Sequence, residues 1–342
     1  MADWFGKEDF KLGFGLMRLP KNADGSIDIP QVSEMVDRFL EAGGTYFDTA
    51  YVYEGSEEAV RKALVDRWPR ERYTLATKLN AWLGRPDEQS AKKQLETSLQ
   101  RTGAGYFDYY LLHSLQLNNR ETYDSYGLWD FVREQKEKGR IRHWGFSFHS
   151  TPELLDELLT EHPDAEFVQL QLNYADWNMP EVSAAKLWEI ARRHGKSIVV
   201  MEPVRGGSLA SPPAKVAALL RRANPDVSPA SWAIRFAASQ EGILTVLSGM
   251  STIGQMEDNL SYMRAFKPLD EREMETLREA QEILSGMDGV PCTGCRYCTH
   301  GCPREIDIPN IFRAWNDMKI YQNLASAKRR YAIFTGKAKA SD

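Results

Sequence analysis

Four polar side chains with complementary proton chemistry occur in the first third of the chain, each at or just after a short apolar segment. They are Asp48, Tyr53, Lys78 and His113. A phenol is a poor acid at neutral pH, because its reference pKa is about 10. An adjacent ammonium lowers that pKa by stabilising the phenolate, a carboxylate keeps the ammonium charged, and an imidazole can hydrogen-bond a substrate oxygen. Singly, each has an ordinary structural explanation; together, this tetrad would form a proton-transfer site.

A second group is the run CTGCRYCTHGCP, which contains every cysteine of the 342-residue chain: Cys292, Cys295, Cys298 and Cys302. Its spacing resembles the cluster motif of bacterial ferredoxins. The resemblance implies a [4Fe–4S] cluster held by all four cysteines, with zinc as the weaker alternative. In two-cluster ferredoxins the fourth cysteine ligates the other cluster. A three-cysteine cluster, or a ligand from a second subunit, therefore stays open.

The composition is that of a globular protein, with 42% hydrophobic and 27% charged residues. A net charge of −5 without a basic stripe argues against nucleic-acid binding. The first residues lack a signal-peptide pattern, and no apolar run reaches the roughly 18 residues of a membrane span. We therefore expect a cytoplasmic protein without nucleic-acid or membrane partners, in which clustered cysteines bind metal rather than form disulfides.

Apolar, β-rich segments alternate with segments of helical period along most of the chain. The predicted strands are 46–51, 73–79, 106–114, 143–149, 167–174, 197–204 and 243–250. The helices predicted to follow them are 56–68, 90–103, 127–141, 151–162, 181–195, 228–239 and 252–263. A further helix at 31–42 precedes the first of these strands, and segment 11–20 supplies a strand before it.

Eight uninterrupted βα units predict a closed (β/α)8 TIM barrel over residues 1–268. A doubly wound sheet is the weaker alternative, since no glycine-rich nucleotide fingerprint follows the first strand. Residues 269–342 form a predicted C-terminal arm with helices at 269–285 and 309–322, the cysteine run and a basic tail. An arm of this size needs a staple to hold it together. Because barrel strands end at one face, the tetrad residues should meet there.

Three segments that contain the tetrad resemble the signature segments of the aldo-keto reductases. They are FDTAYVYEGSEEAVRKAL, LATKL and DYYLLHS, and the likeness extends over roughly residues 10–265. The resemblance implies an oxidoreductase that reduces an aldehyde or ketone, or oxidises the alcohol, with a nicotinamide cofactor. It implies Tyr53 as the general acid and Lys78 as the group that tunes it. Asp48 would pair with Lys78, and His113 would orient the carbonyl.

The same resemblance places NADP(H) or NAD(H) across this rim of the barrel. It implies Ser147 and Gln169 as carboxamide ligands, with Gln171 as a fallback on the same strand face. The family's usual asparagine beside the serine is Phe148 here, and Met201 stands where a tyrosine usually stacks on the nicotinamide. A thioether can pack against a ring. The other cofactor residues that the resemblance implies are Pro203, Arg205 and Gly206 of a pyrophosphate loop, Ser251, and Asn259 beside the adenine.

The sequence carries fewer signals for the preference between nucleotides and for the substrate. Members that prefer NADP carry a Lys and an Arg at positions that fall near Gly249 and Gln255, both uncharged here. Each missing charge-assisted contact removes roughly 1.5–3 kcal/mol, so the preference between NADPH and NADH stays open. Aromatic residues that follow strand ends are candidates for lining the pocket of a small carbonyl or alcohol substrate: Trp82, Tyr174 and Trp177.

The role of the cluster also has alternatives. Hydride transfer needs no one-electron carrier, so we expect a structural staple that ties the arm over the barrel mouth. A redox role would instead pass electrons to a partner protein or to the bound substrate. A third possibility is an iron–sulfur redox protein or sensor that uses the barrel as a ligand-binding module. The complete tetrad argues against the sensor.

Overall fold

The computed structural model describes residues 10–84, 86–180, 182–290, 292, 297–300, 302–304 and 306–335. Parallel strands close into a barrel in chain order, each paired with its neighbours in sequence and the last paired with the first. They are β1 (Leu12–Gly15), β2 (Tyr46–Asp48), β3 (Thr74–Leu79), β4 (Phe107–Leu115), β5 (Ile141–Phe148), β6 (Phe167–Gln171), β7 (Ser197–Met201) and β8 (Ile243–Ser248). The predicted (β/α)8 barrel is confirmed.

Helices surround the barrel in the expected alternation. They are α1 (Ile29–Glu41), α2 (Ser56–Val60), α3 (Glu88–Thr102), α4 (Arg120–Ser125), α5 (Leu128–Glu137), α6 (Pro152–Glu161), α7 (Ala184–Arg193), α8 (Ala214–Ala223), α9 (Pro229–Ser239) and α10 (Ile253–Met263). The segment between β7 and α9, for which no helix is predicted above, contains α8. Two glycines, two serines and two prolines stand before α8, at 206–213, whereas the sequence of α8 itself is rich in alanine and leucine.

Local sequence signals set several of the helix ends. Thr151 caps α6 by accepting a hydrogen bond from the backbone N–H of Leu154, and Pro152 occupies the first helical position. Gly103 follows α3 with φ +67°, the left-handed conformation in which glycine carries no steric penalty.

Two apolar layers hold the barrel together. Its interior is filled by a cluster that includes Tyr46, Tyr109 and Phe167, all buried. A larger cluster lies between the strands and the outer helices, and it takes residues from every strand of the barrel. Since both faces of each strand are covered, the strands read as nearly continuous apolar runs. In the residues that the structure describes, no helix has both the length and the hydropathy of a bilayer span.

The last part of the chain is helical: α11 (Glu271–Ser285), α12 (Tyr297–His300), α13 (Ile308–Lys319) and α14 (Leu324–Phe334). The predicted helix at 309–322 ends earlier, at Lys319, and part of the expected basic tail forms α14. A third apolar cluster joins Leu277 of α11 and Tyr321 to Trp232 and Phe236 of α9. The arm therefore packs onto the barrel through an apolar contact of its own, and the division at residue 268 stays a prediction.

Candidate active site

The tetrad residues lie at the carboxyl ends of three consecutive strands. Asp48 is the last residue of β2, Lys78 is next to last in β3, and His113 lies two residues before the end of β4. Tyr53 is in the loop after β2, where its backbone N–H donates to the carbonyl of Ala50 over 2.9 Å. The parallel register brings these four residues to the same rim of the barrel.

Lys78 and Asp48 form a buried ion pair. Lys78 Nζ lies 2.5 Å from Asp48 Oδ1 and donates a second bond of 2.7 Å to the carbonyl oxygen of Thr49. Only 1% of the Lys78 side chain and 4% of the Asp48 side chain are exposed. Burial disfavours the ammonium, but Asp48 and the phenol of Tyr53 outweigh it and raise the pKa of Lys78. Lys78 therefore stays charged at neutral pH.

The phenol of Tyr53 lies beside this ammonium, with 5.1 Å between Lys78 Nζ and the centre of the ring. Burial raises the pKa of Tyr53, and the charge of Lys78 acts in the opposite direction. The expectation of a lowered pKa is therefore wrong as a net effect, because the loss of hydration outweighs the ammonium. The phenol is protonated at neutral pH, which is the form that a proton donor requires.

His113 lies on the other side of Tyr53. The two ring centroids are 5.9 Å apart and the rings are nearly perpendicular, at 82°. Burial, assisted by the charges of Lys78 and His149, holds the pKa of His113 well below its ordinary value. Nδ1 of His113 is buried and has no hydrogen-bond partner within the described residues. A neutral imidazole of this kind offers one donor and one acceptor.

Ser147 and Gln169 lie on adjacent strands, opposite one another in the register of β5 and β6. Both are buried. Ser147 Oγ accepts a 2.7 Å hydrogen bond from the backbone N–H of Ser114, a residue held at φ +60°. Gln169 Oε1 is buried without a hydrogen-bond partner in the described part of the chain. An acceptor in that condition fits a ligand amide.

Arg205, expected to face a phosphate, lies instead between two carboxylates. Its Nε is 2.9 Å from Asp176 Oδ1, and its Nη1 is 2.7 Å from Asp317 Oδ1 of α13. The ring of Tyr321 lies 4.4 Å from the guanidinium carbon. A phosphate would have to compete with these ion pairs. Gln171, the fallback for Gln169, is also engaged, since it donates to Asp176 Oδ2 over 2.7 Å.

The remaining nucleotide candidates follow β7 and β8. Met201 ends β7, half-buried, and Pro203 and Gly206 follow it in the loop. Ser251 Oγ donates to the carbonyl of Arg18 over 2.7 Å. The amide of Asn259 donates to Ser248 Oγ over 2.6 Å and accepts from the Tyr262 hydroxyl over 2.6 Å.

The aromatic candidates for the substrate pocket separate into two groups. Trp82 lies at the rim, with its ring 6.5 Å from that of His113. Tyr174 is completely buried in the third apolar cluster, and Trp177 packs against Phe236 with ring centroids 5.3 Å apart. Packing accounts for the positions of Tyr174 and Trp177, and a pocket-lining role for them stays a prediction.

Comparison with known proteins decides the family. The model of the aldo/keto reductase family matches residues 11–282, which is most of the chain. This chain belongs to the aldo/keto reductase family. It is an oxidoreductase of that family, as the tetrad segments indicated.

Individual relatives and structures agree with the family match. The uncharacterized oxidoreductase YqkF of Bacillus subtilis is 25% identical over 301 residues, which cover 78% of this chain and 91% of YqkF. An aldo-keto reductase of Mycolicibacterium vanbaalenii is 29% identical over 270 residues, covering 77% and 86% of the two chains. The holo form of an aldo-keto reductase from Bacillus halodurans superposes with a TM-score of 0.62 at 26% identity, covering 79% and 91%.

A further solved structure is that of an aldo-keto reductase from Klebsiella pneumoniae in complex with NADPH. Its TM-score is 0.64 at 20% identity, and the match covers 79% of this chain and 90% of that one. At this identity the likeness shows the fold alone.

Several residues that support the tetrad in this aldo/keto reductase were missed from the sequence. The Tyr123 hydroxyl of α4 donates to the carbonyl oxygen of His113 and fixes the end of β4. The buried carboxylate of Glu57 accepts from Thr77 Oγ1 over 2.8 Å and pairs with Arg101 at 3.2 Å, behind the strand that carries Lys78. Such contacts depend on which helices pack together, so spacing along the chain gives no signal for them.

The cysteine run is described in part: Cys295 lies outside the described residues. Among the described cysteines, Cys292, Cys298 and Cys302 form no disulfide with one another. No three Cys, His, Asp or Glu side chains come together as a metal site in the ranges that the structure describes. Thiols are the donors that iron–sulfur clusters require. The donor chemistry therefore fits the implied cluster, whereas the described residues show no converged set of ligands.

Proposed function

We propose that this aldo/keto reductase reduces an aldehyde or ketone to the alcohol, with Tyr53 as the proton donor. The observation that carries the proposal is the buried Asp48–Lys78 pair, whose ammonium lies 5.1 Å from the centre of the Tyr53 ring. A phenol, an ammonium held charged and a neutral imidazole at one rim match the requirements of proton transfer to a carbonyl oxygen.

Each tetrad residue has a separate task in this proposal. His113 donates a hydrogen bond that holds the carbonyl oxygen near the Tyr53 hydroxyl. The Tyr53 proton moves to that oxygen as a hydride reaches the carbonyl carbon, and Lys78 stabilises the phenolate that remains. Asp48 keeps Lys78 charged and fixed in direction, and solvent returns the proton to Tyr53. In the reverse direction the phenolate removes the proton from an alcohol.

A nicotinamide nucleotide, NADP(H) or NAD(H), supplies or accepts the hydride in this chemistry. The buried, unpartnered Oε1 of Gln169 fits the amide hydrogens of its carboxamide, and Ser147 lies opposite on the next strand. Further nucleotide contacts are proposed for Met201, Pro203, Arg205, Gly206, Ser251 and Asn259, and substrate contacts for Trp82, Tyr174 and Trp177.

The nucleotide preference follows from charge near α10. Gly249 and Gln255 offer no cation to a 2′-phosphate, and the Gln255 side chain accepts from the backbone N–H of Ser251 over 2.7 Å. We therefore expect NADH to compete with NADPH. A preference for NADPH above about 100-fold, or about 2.7 kcal/mol, would require a phosphate site elsewhere.

The test of the proposed function is a panel of aldehydes, ketones and alcohols assayed with both nucleotides on anaerobically purified protein. We expect carbonyl-dependent consumption of NADPH or NADH. A protein that binds nucleotide but turns over no member of a broad panel would contradict the proposal and favour a ligand-binding role.

For the arm we propose a [4Fe–4S] cluster that acts as a staple, supported by the C-x2-C-x2-C-x3-C spacing and by the donor chemistry. The test is the double variant Cys295→Ser, Cys298→Ser. We expect loss of iron and acid-labile sulfide, protease sensitivity in the arm, and a folded barrel that still reduces small carbonyls. A parent without iron would refute the cluster. Unchanged folding with abolished turnover would favour electron transfer over the staple.

A further inference from the structure

Two arginines from distant parts of the sequence face the same loop at the mouth of the barrel. Arg18 ends the short helical turn after β1, and Arg329 lies on α14 of the arm. A Cβ built on Gly206 would lie 3.9 Å from Nη2 of Arg18 and 3.7 Å from Nη2 of Arg329. Both guanidiniums therefore reach one point beside the loop that follows β7.

Neither guanidinium is neutralised by another residue of the described ranges, since neither takes part in a hydrogen bond or an ion pair there. The acidic side chains nearby form no ion pair with either arginine. Asp317 binds Arg205 and Arg330, at 2.7 and 3.1 Å. Glu202 acts on Arg18 electrostatically, yet it is not within ion-pair distance.

Arg18 is the more enclosed of the two arginines. Burial and the positive charge of Arg329 both lower the pKa of Arg18. Two like charges held close together, one of them half-buried, are unfavourable until an anion joins them. Arginine is the residue best suited to bind such an anion, because its planar fork matches phosphate and carboxylate oxygens.

The loop beside the two arginines leaves room for a ligand. Gly206 and Gly207 both adopt positive φ, at +64° and +97°. A Cβ on Gly207 would meet nothing within 4 Å. Successive glycines without side chains let a ligand approach the backbone closely.

We propose that Arg18 and Arg329 form one oxyanion-binding site, shared between the barrel and the C-terminal arm. The site takes a phosphate or carboxylate group. That group belongs either to the diphosphate of a nicotinamide nucleotide or to a carboxylate on the carbonyl substrate. The second source is included because the charge of Arg18 also acts on the Tyr53 phenol. The assignment of the oxyanion to a nucleotide or to a carbonyl substrate rests on the proposed function. The binding of an oxyanion by Arg18 and Arg329 does not.

Titration calorimetry of the full chain with inorganic pyrophosphate and with oxalate tests the site directly. Arg329 is exposed, so Arg329→Gln should fold normally, and we expect it to weaken binding by about tenfold or more. Lys328→Gln is the matched control, because it removes one exposed cation from the neighbouring position of α14 and should stay within twofold of the parent.

Arg18→Gln should have a similar effect, and Lys21→Gln removes an exposed cation nearby as its control. Circular dichroism verifies folding, and Arg18→Lys keeps the charge if Arg18→Gln does not fold. The site is overturned if Arg329→Gln binds every ligand within twofold of the parent. It is equally overturned if the parent binds neither pyrophosphate, oxalate nor a nicotinamide nucleotide.

The source of the oxyanion is decided with the same variants. A tenfold loss for NADPH and NADH as well as pyrophosphate assigns the site to the nucleotide. Unchanged nucleotide binding, with a raised KM for a 2-oxo acid but not for the matching neutral ketone, assigns it to the substrate. Pyrophosphate binding that depends on Arg18 and Arg329, in a protein that reduces no carbonyl, would overturn the proposed function and leave the site standing.

Discussion

Two buried ion networks lie at the carboxyl face of the barrel, and they differ in how the fold brings their members together. Lys78 and Asp48 are 30 residues apart on adjacent strands. Arg205 and Asp317 are 112 residues apart, one after β7 and the other on α13. The first network is fixed by strand register within the barrel. The second exists only when the arm is docked.

The two networks therefore differ in role: the first belongs to the proposed reaction site, and the second holds the arm against the barrel. The Lys78 pair lies beside the phenol that we propose as the proton donor, and in that proposal its charge stabilises the phenolate. The Arg205 network contacts Asp176, Asp317 and the ring of Tyr321, and it connects the arm to the barrel. Breaking the first should remove activity, whereas breaking the second should loosen the arm and leave the barrel intact.

The largest effect is expected from Lys78→Met. It leaves Asp48 buried without its partner and removes the charge that stabilises the Tyr53 phenolate. We expect kcat/KM for carbonyl reduction to fall by about 10²–10⁴ and the free energy of unfolding to fall by about 3–5 kcal/mol. Steady-state kinetics and urea unfolding measure the two effects.

The matched control is Lys196→Met. Lys196 is also buried, at 8% exposed, but its Nζ donates over 2.6 Å to the carbonyl of Pro163, away from the tetrad. We expect this variant to lose stability without losing activity. Comparable activity losses in the two variants would mean that Lys78 acts through stability alone.

A smaller and more local effect is expected from Asp317→Asn. The Asp317 side chain is 1% exposed and binds Arg205, Arg330 and Ser326. We expect about 1–3 kcal/mol less stability, seen as faster proteolysis after residue 286 while the barrel resists. The control Asp156→Asn weakens surface contacts with Arg193 at 2.8 Å and His194 at 2.6 Å and should cost no more than about 1 kcal/mol. If the barrel and the arm of Asp317→Asn became protease-sensitive together, the arm would not be a separately stabilised part of the chain.

The Asp48–Lys78 pair could be predicted from the sequence, whereas the Arg205–Asp317 pair could not. Asp48 and Lys78 each end a recognisable apolar segment, and parallel strands necessarily bring such ends to one face. Nothing local relates Arg205 to Asp317, and the family resemblance instead implied a phosphate beside Arg205. The pKa of Tyr53 shows a second gap. The sign of the Lys78 contribution could be predicted, but the larger contribution of burial depends on tertiary packing.

The smallest effect concerns pH. The pKa of His113 is held well below the ordinary value of about 6.5, so the unfolded chain binds a proton that the folded site refuses. The contribution of neutral His113 to the free energy of unfolding is fully present above the ordinary His pKa of about 6.5, and it is lost as the pH falls below that value. We expect His113→Gln to lose less stability than the parent between neutral pH and mild acid. The difference is at most about 1.4 kcal/mol per pH unit.

Denaturant unfolding at several pH values measures this difference. The pKa values of His149 and His162 are also lowered, so the comparison must be between parent and variant rather than on the parent alone. If the free energy of unfolding depended equally on pH in the two proteins, His113 would bind its proton as readily in the folded state as in the unfolded chain.

The central claim is that Tyr53 donates the proton. The most direct measurement is kcat/KM of Tyr53→Phe for a carbonyl substrate, together with the Kd of the nucleotide from fluorescence titration. The account predicts that carbonyl reduction is abolished and nucleotide affinity preserved, because the substitution removes only the hydroxyl. Turnover within tenfold of the parent would contradict it.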